Sequence, residues 1–221
     1  MSSVITIDGP AGVGKTSLAR LLAHKLGWAY LDTGAMFRAL AFKLGADVES
    51  LSYHDLEARC ASLHFSLEGV GKDTCLFCNG EPVGSEIRTE AVGLLAARIG
   101  CIPQVRSVLV QKQRELARVV SLVAEGRDMG TVVFPEAICK FFLEASAEIR
   151  ARRRLNDKAR QDQADLATLI KQISERDELD RNRPIAPLKP AKDAQIIDTS
   201  SLALEEVLGK MLAVLAAKGL G

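Results

Sequence analysis

The stretch from Val4 to Leu26 restricts the fold more than any other part of the chain. Val4-Ile-Thr-Ile-Asp8 is a short apolar run suited to a buried strand. Downstream, Leu18, Leu21, Leu22 and Leu26 fall on one helical face, with Gly27 as the stop. Between them Gly9, Pro10, Ala11, Gly12, Val13, Gly14, Lys15 and Thr16 fit the phosphate-loop pattern G-x-x-x-x-G-K-[ST]. Its glycines let the backbone bend around a phosphate chain, and the helix that follows turns the positive end of its dipole toward the anion. Lys15 is expected to reach the β- and γ-phosphates and the Thr16 hydroxyl to ligate Mg²⁺. Gly9 to Ser17, with Ser17 the last member, is the expected ATP-binding set. An accidental glycine-rich turn would have no reason to sit between a strand and a helix, as this one does.

Bulk properties narrow the partners. A chain of 221 residues is expected to form one domain carrying a smaller insertion. Its 48% hydrophobic and 26% charged content is that of an ordinary globular protein, and a net charge of +1 offers no global field for nucleic acid or an anionic membrane. No apolar run approaches the roughly 18 residues of a membrane span, and no signal-peptide pattern opens the chain, so a cytoplasmic location is expected; a monomer is the expected state, though nothing in the sequence sets it. The five cysteines, Cys60, Cys75, Cys78, Cys101 and Cys139, are odd in number and scattered, which argues for free thiols. Cys75 and Cys78 form a lone C-x-x-C with only His64 nearby, better suited to a small sheet than to zinc.

Hydrophobic periodicity lays out the remaining elements. Trp28 to Leu31 reads as a strand placed beside the first, followed by a helix marked by Phe37, Leu40, Ala41 and Leu44 and closed by Gly45. Ser52 caps a further expected helix. From about His64 to Ser85 short β-like runs follow one another without helices, with Asn79-Gly80 as a hairpin signal. Two helices come next, over Thr89–Ile99 and Pro103–Leu116. Val119–Ala124, Ile138–Leu143 and Gln195–Asp198 read as strands, and Leu204, Val207, Leu208, Met211 and Leu215 mark a closing helix. Five strands alternating with helices predict an α/β fold, a five-stranded parallel sheet covered on both faces, with ligands at the carboxyl ends of its strands. The polar stretch Asn156 to Ala167 is expected to be a mobile loop.

The residues after each strand end carry the chemistry. They are Asp32-Thr33-Gly34 with Arg38 one turn on, Gly126-Arg127-Asp128, and Ser146 followed by the cluster Arg150-Ala-Arg-Arg-Arg154. Four guanidiniums in five residues repel one another, and either a solvated helix face or a bound polyphosphate relieves that cost. Leu166, Leu169, Ile170 and Ile173 form an apolar stripe whose continuation reaches Arg176, Asp180 and Arg183 before Pro184 ends the helix. A face that buries leucines one turn earlier is expected to turn those charges inward, where they need partners. An intrahelical salt-bridge ladder is the alternative, at about 0.3–0.5 kcal/mol per pair. Taken singly, Arg88 and Arg106 read as surface residues.

The phosphate loop, Leu31-Asp-Thr-Gly-Ala-Met-Phe-Arg38, Glu86-Ile-Arg-Thr89, Gly126-Arg-Asp-Met-Gly-Thr131 and Glu175-Arg-Asp-Glu-Leu-Asp-Arg-Asn-Arg183 occur in that order, and together the chain resembles the bacterial cytidylate kinase (CMP/dCMP kinase) family over essentially its whole length. The resemblance implies a P-loop kinase fold with core residues 1–45 and 118–221, a nucleoside-monophosphate-binding insertion at about 46–117 and a helical lid at about 148–167. It implies ATP with Mg²⁺ as donor and CMP or dCMP as acceptor. It places Arg127 and Arg183 on the acceptor phosphate with Arg38 and Thr33 near it, Arg88 reaching the same site, Arg106 and Asp128 at the cytosine edge, and Arg176 and Asp180 on the ribose hydroxyls. Arg150 and Arg154 would act from the lid on the transferring phosphoryl group, beside Lys15 and Arg127. The chain departs from the family pattern at Phe37 (usually Tyr), Glu125 (usually Asp), Ala97 (Ser in some members) and Leu179 (Arg in some members). Ala97 leaves one fewer hydrogen bond for selecting cytosine over uracil. Related P-loop kinases of UMP, AMP or a small metabolite, and a non-kinase nucleotide switch or nucleic-acid-binding P-loop protein, are the alternatives.

Overall fold

A computed structural model describes residues 2–45, 48, 50–156 and 165–220. The described chain alternates strands and helices: β1 (Val4–Asp8), α1 (Lys15–Leu26), β2 (Ala29–Asp32), α2 (Thr33–Leu44), α3 (Tyr53–Ala61), β3 (Phe65–Glu68), β4 (Cys75–Cys78), β5 (Glu81–Pro82), α4 (Glu90–Ile99), α5 (Pro103–Val119), β6 (Leu122–Gly126), β7 (Cys139–Glu144), α6 (Ala147–Leu155), α7 (Leu166–Asn182), β8 (Gln195–Asp198) and α8 (Leu204–Ala217). Among the described residues five strands form one parallel sheet in the order β2-β6-β1-β7-β8, and β3, β4 and β5 form a separate antiparallel sheet. The order corrects one expectation: β2 does not lie beside β1, because β6 comes between them. Adjacency in sequence does not set adjacency in a doubly wound sheet, where a helical crossover can skip a strand position. A second correction is small. The strand expected at Val119–Ala124 starts later, at Leu122, because α5 runs on to Val119, which is exposed at the helix end.

Contacts divide the chain into two compact units, Met1–Val4 with Ala23–Ala124 and Ile5–Leu22 with Glu125–Gly221. In the first, α2 is capped by Asp32, whose side chain accepts from the Ala35 N–H, and ends at Gly45 with φ 74°. Ser52 and Thr89 cap α3 and α4 in the same way, and Pro103 opens α5. The hairpin between β4 and β5 turns on Asn79 and Gly80, both at positive φ. Cys75 is exposed and Cys78 buried on the same strand, so the C-x-x-C thiols point to opposite faces.

In the second unit β1, β7 and β8 pair in parallel, with Ile5 opposite Cys139 and Phe141 opposite Gln195. Ile5, Ile7, Leu18, Leu22, Phe141 and Leu143 are fully buried around them. Gly9, where β1 turns into the phosphate loop, sits at φ 149°, and a Cβ there would lie 2.4 Å from the Leu143 carbonyl oxygen. Backbone cannot yield as a side chain does. Gly9→Ala is therefore expected to lower stability by about 3 kcal/mol or more, measured as the shift in a urea midpoint at unchanged m-value.

No single helix among the described residues is long and apolar enough to cross a membrane. The loop expected at Asn156–Ala167 lies mostly outside the described residues.

Candidate active site

The phosphate loop is built as its sequence requires. Helix α1 begins at Lys15, so its free N–H groups open onto the loop, and Gly12 and Gly14 take positive φ. Thr16 and Ser17 are exposed at the helix start, where a polyphosphate would meet them. Lys15 is only 6% exposed, and its ammonium donates to the Gly9 and Pro10 carbonyls at 2.8 and 2.7 Å. Burial, with the Arg127 charge nearby, pulls its pKa down to about 7 against the opposing pull of Glu125, Asp8 and Asp180. A cation held in that state gains most from an arriving anion.

Asp8, the last residue of β1, accepts the Met129 N–H on Oδ1 at 2.9 Å and the Gly130 N–H on Oδ2 at 2.8 Å. The start of the phosphate loop is thereby tied to the turn that carries Arg127 and Asp128. Burial raises its pKa to about 6, opposed by those two N–H bonds. Nothing in the sequence flagged Asp8, because its two partners lie more than a hundred residues away.

Arg127 and Asp128 sit side by side after β6, and each finds its opposite at the end of α7. Arg127 Nε donates to Asp180 Oδ2 at 2.7 Å, and Arg183 donates to Asp128 Oδ1 at 3.1 Å. Arg183 is held in turn by the Ala186 carbonyl. Four of the expected acceptor residues are thus brought together in two crossed ion pairs, and all are buried or half-buried. The inward turn expected of α7 holds for Asp180 and Arg183. It fails for Arg176, which is exposed; the buried charge at that level is Asp177, 5% exposed, four residues after Ile173. A period of 3.6 lets either 176 or 177 continue the stripe, and the chain turns 177 inward.

The arginine cluster also differs from expectation. Arg150 is 2% exposed and bound wholly to protein: Nε to the Ala145 carbonyl, one terminal nitrogen to the Ala11 carbonyl and Asp177, the other to Asp177. It is no solvent-facing lid residue, since carboxylate and carbonyls satisfy its charge. Arg153 binds Thr199 and Arg152 pairs with Glu148 one turn away. Arg154 is half-buried. Within the protein, Arg150, Arg152 and Arg153 of the cluster all find acceptors.

The first unit holds the other expected acceptor residues. Arg88 donates to Asp32 Oδ2 at 2.8 Å, while Arg38 donates to the Ile87 and Thr89 carbonyls. Thr33 is buried in the first turn of α2. Arg106 is buried, donates to the Gly100 carbonyl and lies 5.6 Å from the centre of the Phe37 ring. The ring at position 37 therefore offers a cation–π face to Arg106 without needing a hydroxyl.

A phosphate loop opening a helix on a parallel sheet, with clustered arginines and aspartates after β6 and at the end of α7, is the arrangement of a P-loop kinase. The fold agrees: a shikimate kinase from Bacteroides thetaiotaomicron superposes with a TM-score of 0.51 over 97% of this chain and 98% of that one, at 16% identity. The family model for cytidylate kinase matches residues 5–217. The cytidylate kinase of Oleidesulfovibrio alaskensis is 53% identical over 96% of this chain and 97% of its own length. That of Nitratidesulfovibrio vulgaris (Hildenborough) is also 53% identical, over 95% and 90%. The chain belongs to the cytidylate kinase family.

Proposed function

We propose that this chain transfers the γ-phosphoryl group of ATP to the phosphate of CMP or dCMP, releasing ADP and CDP or dCDP. The observation that carries the reading is the crossed pairing of Arg127 and Asp128 with Asp180 and Arg183 in the same unit as the phosphate loop. Two cations and two carboxylates in one cluster match a nucleoside monophosphate, which presents one phosphate and several hydroxyl and amino donors. The acceptor phosphate would recruit the guanidiniums of Arg127 and Arg183, leaving Asp128 for the cytosine amino group and Asp180 for a ribose hydroxyl. Arg176, on the exposed side of α7, is proposed as the second ribose contact. On the family resemblance, Arg38, Thr33, Arg88 and Arg106 are proposed as further acceptor contacts.

An oxygen of the acceptor phosphate, ionised near neutral pH, forms the new bond to the γ-phosphorus as the bond to the β–γ bridging oxygen breaks and ADP leaves. No general base is required. The chain's part is to hold the two oxygens in line and to balance charge, through Lys15 on the donor and Arg127 and Arg154 around the transferred group. The Thr16 hydroxyl would hold Mg²⁺ beside the nucleotide; among the described residues no cluster of three or more His, Cys, Asp or Glu could hold an ion. Magnesium would supply charge neutralisation across the β- and γ-oxygens.

A coupled ADP-release assay with CMP, dCMP, UMP, AMP and shikimate at matched concentrations tests the reading. Turnover with CMP or dCMP is expected to exceed AMP and shikimate by at least about 100-fold. With Ala97 exposed on α4 and unable to offer a hydroxyl, the margin over UMP is expected to be narrower, about 10-fold. Equal use of AMP or shikimate would overturn the acceptor.

A further inference from the structure

The role left open is that of the buried pair Arg150 and Asp177. A loop whose N–H groups turn in toward a phosphate must turn carbonyls outward, and each outward carbonyl needs a donor. At Ala11 that donor is Arg150, 3.0 Å away. The same terminal nitrogen donates to Asp177 Oδ1 at 3.0 Å, and its twin to Oδ2. Nε is anchored on the Ala145 carbonyl at 2.9 Å. The two-pronged grip of Asp177 fixes the plane of the guanidinium, and the remaining hydrogen of the shared nitrogen then points at Ala11. Contact extends one residue further along the loop: a Cβ on Gly12 would lie 3.5 Å from the Arg150 Cβ. Behind the pair, Ala151, Leu169 and Ile173 pack α6 against α7. Asp177 also precedes Asp180 by one turn of the same helix. The helix that braces the phosphate loop is thus the helix that holds Arg127.

We propose that Asp177 and Arg150 are positioning residues for ATP: the buried pair holds the Ala11 carbonyl outward and so keeps the phosphate loop curved before nucleotide arrives. The inference rests on Gly9–Ser17 being the ATP site. The pair does not touch the transferred group. It acts through the loop, so its loss weakens ATP binding and spares the acceptor.

Two variants separate positioning from folding. Arg150→Lys keeps a cation against Asp177 and cannot span both Asp177 and Ala11. The double variant Arg150→Met/Asp177→Leu replaces the ion pair by apolar side chains, an exchange that buried pairs commonly tolerate or gain from in stability. Both are titrated with a fluorescent N-methylanthraniloyl ATP, and their KM values for ATP and CMP are measured alongside thermal unfolding. The expected result is an ATP-analogue Kd and KM for ATP raised about 10-fold or more, with KM for CMP within about twofold of wild type, even where the double variant melts at or above the wild-type temperature. Wild-type ATP affinity in either folded variant would overturn the proposal, leaving the pair a packing feature only. Wild-type enzyme that binds the analogue and ignores CMP would overturn the acceptor reading alone, with the affinity comparison still deciding this one. Wild-type enzyme that fails to bind the analogue would overturn both.

Discussion

Lys15→Met is expected to lower turnover by about a thousandfold or more while the chain stays folded. Methionine fills nearly the same buried volume, so the packing around α1 is expected to survive; the charge proposed to meet the β- and γ-phosphates does not. The state of Lys15 makes the loss measurable in a second way. Burial and the nearby Arg127 hold its pKa near 7, against an ordinary 10.5. Between these values the unfolded chain keeps a proton that the folded one has released, so Lys15 makes stability rise with pH by up to about 1.4 kcal/mol per unit. In Lys15→Met that slope should flatten between about pH 7 and 8, below the range, opening near the ordinary thiol value of 9, where buried thiols such as Cys60, pushed up to about 11, begin to oppose it. Denaturant midpoints across that window, set beside a single-turnover assay, check both halves. A variant with near-normal turnover would remove Lys15 from the chemistry.

Arg127→Ala and Arg183→Ala are expected to cut kcat/KM for CMP by at least about 100-fold, with KM for ATP changed by less than about threefold. Each residue stands in a pair whose other member is also proposed to bind the acceptor, so the loss is expected to be felt twice. Without Arg127, Asp180 loses the ion pair that orients it at 2.7 Å; without Arg183, the buried Asp128 loses one of its partners. The second variant is also expected to be less stable by about 1–3 kcal/mol, since it strips a partner from a buried carboxylate. Arg183→Lys should recover stability more fully than CMP use, because an ammonium cannot reproduce the forked contact. Initial rates with each substrate varied in turn decide the matter, and unchanged CMP kinetics in either alanine variant would dismiss that residue.

How much of this was legible beforehand follows from how far apart the interacting residues lie. The caps at Ser52 and Thr89, the hairpin at Asn79-Gly80 and the phosphate loop are contiguous in sequence, and each formed where its residues indicated. The stripe of α7 was visible up to Ile173. Which charge continued it was not: Arg176 and Asp177 are both within the tolerance of the helical period, and the choice depended on Arg150 of α6. Arg150 itself illustrates the limit of composition. Four arginines in five residues resemble an anion site, yet what received this one was a carboxylate of the same chain, 27 residues on.

The phosphate loop of this protein was legible in the sequence alone, because it is made of neighbours with glycine, lysine and threonine in the right order, but its bracing by Arg150 and Asp177 came from the tertiary structure. What faces the donor was named by residue types and spacing but given its form by tertiary structure. Only folding set Arg127 against Asp180 and Asp128 against Arg183, and only folding tied Asp8 to Met129 and Gly130 across 121 and 122 residues. Charge pairs of that kind have no local signature. Any carboxylate of the chain was a possible partner for those arginines, and the approach of the end of α7 to the turn after β6 selected Asp180 and Asp128.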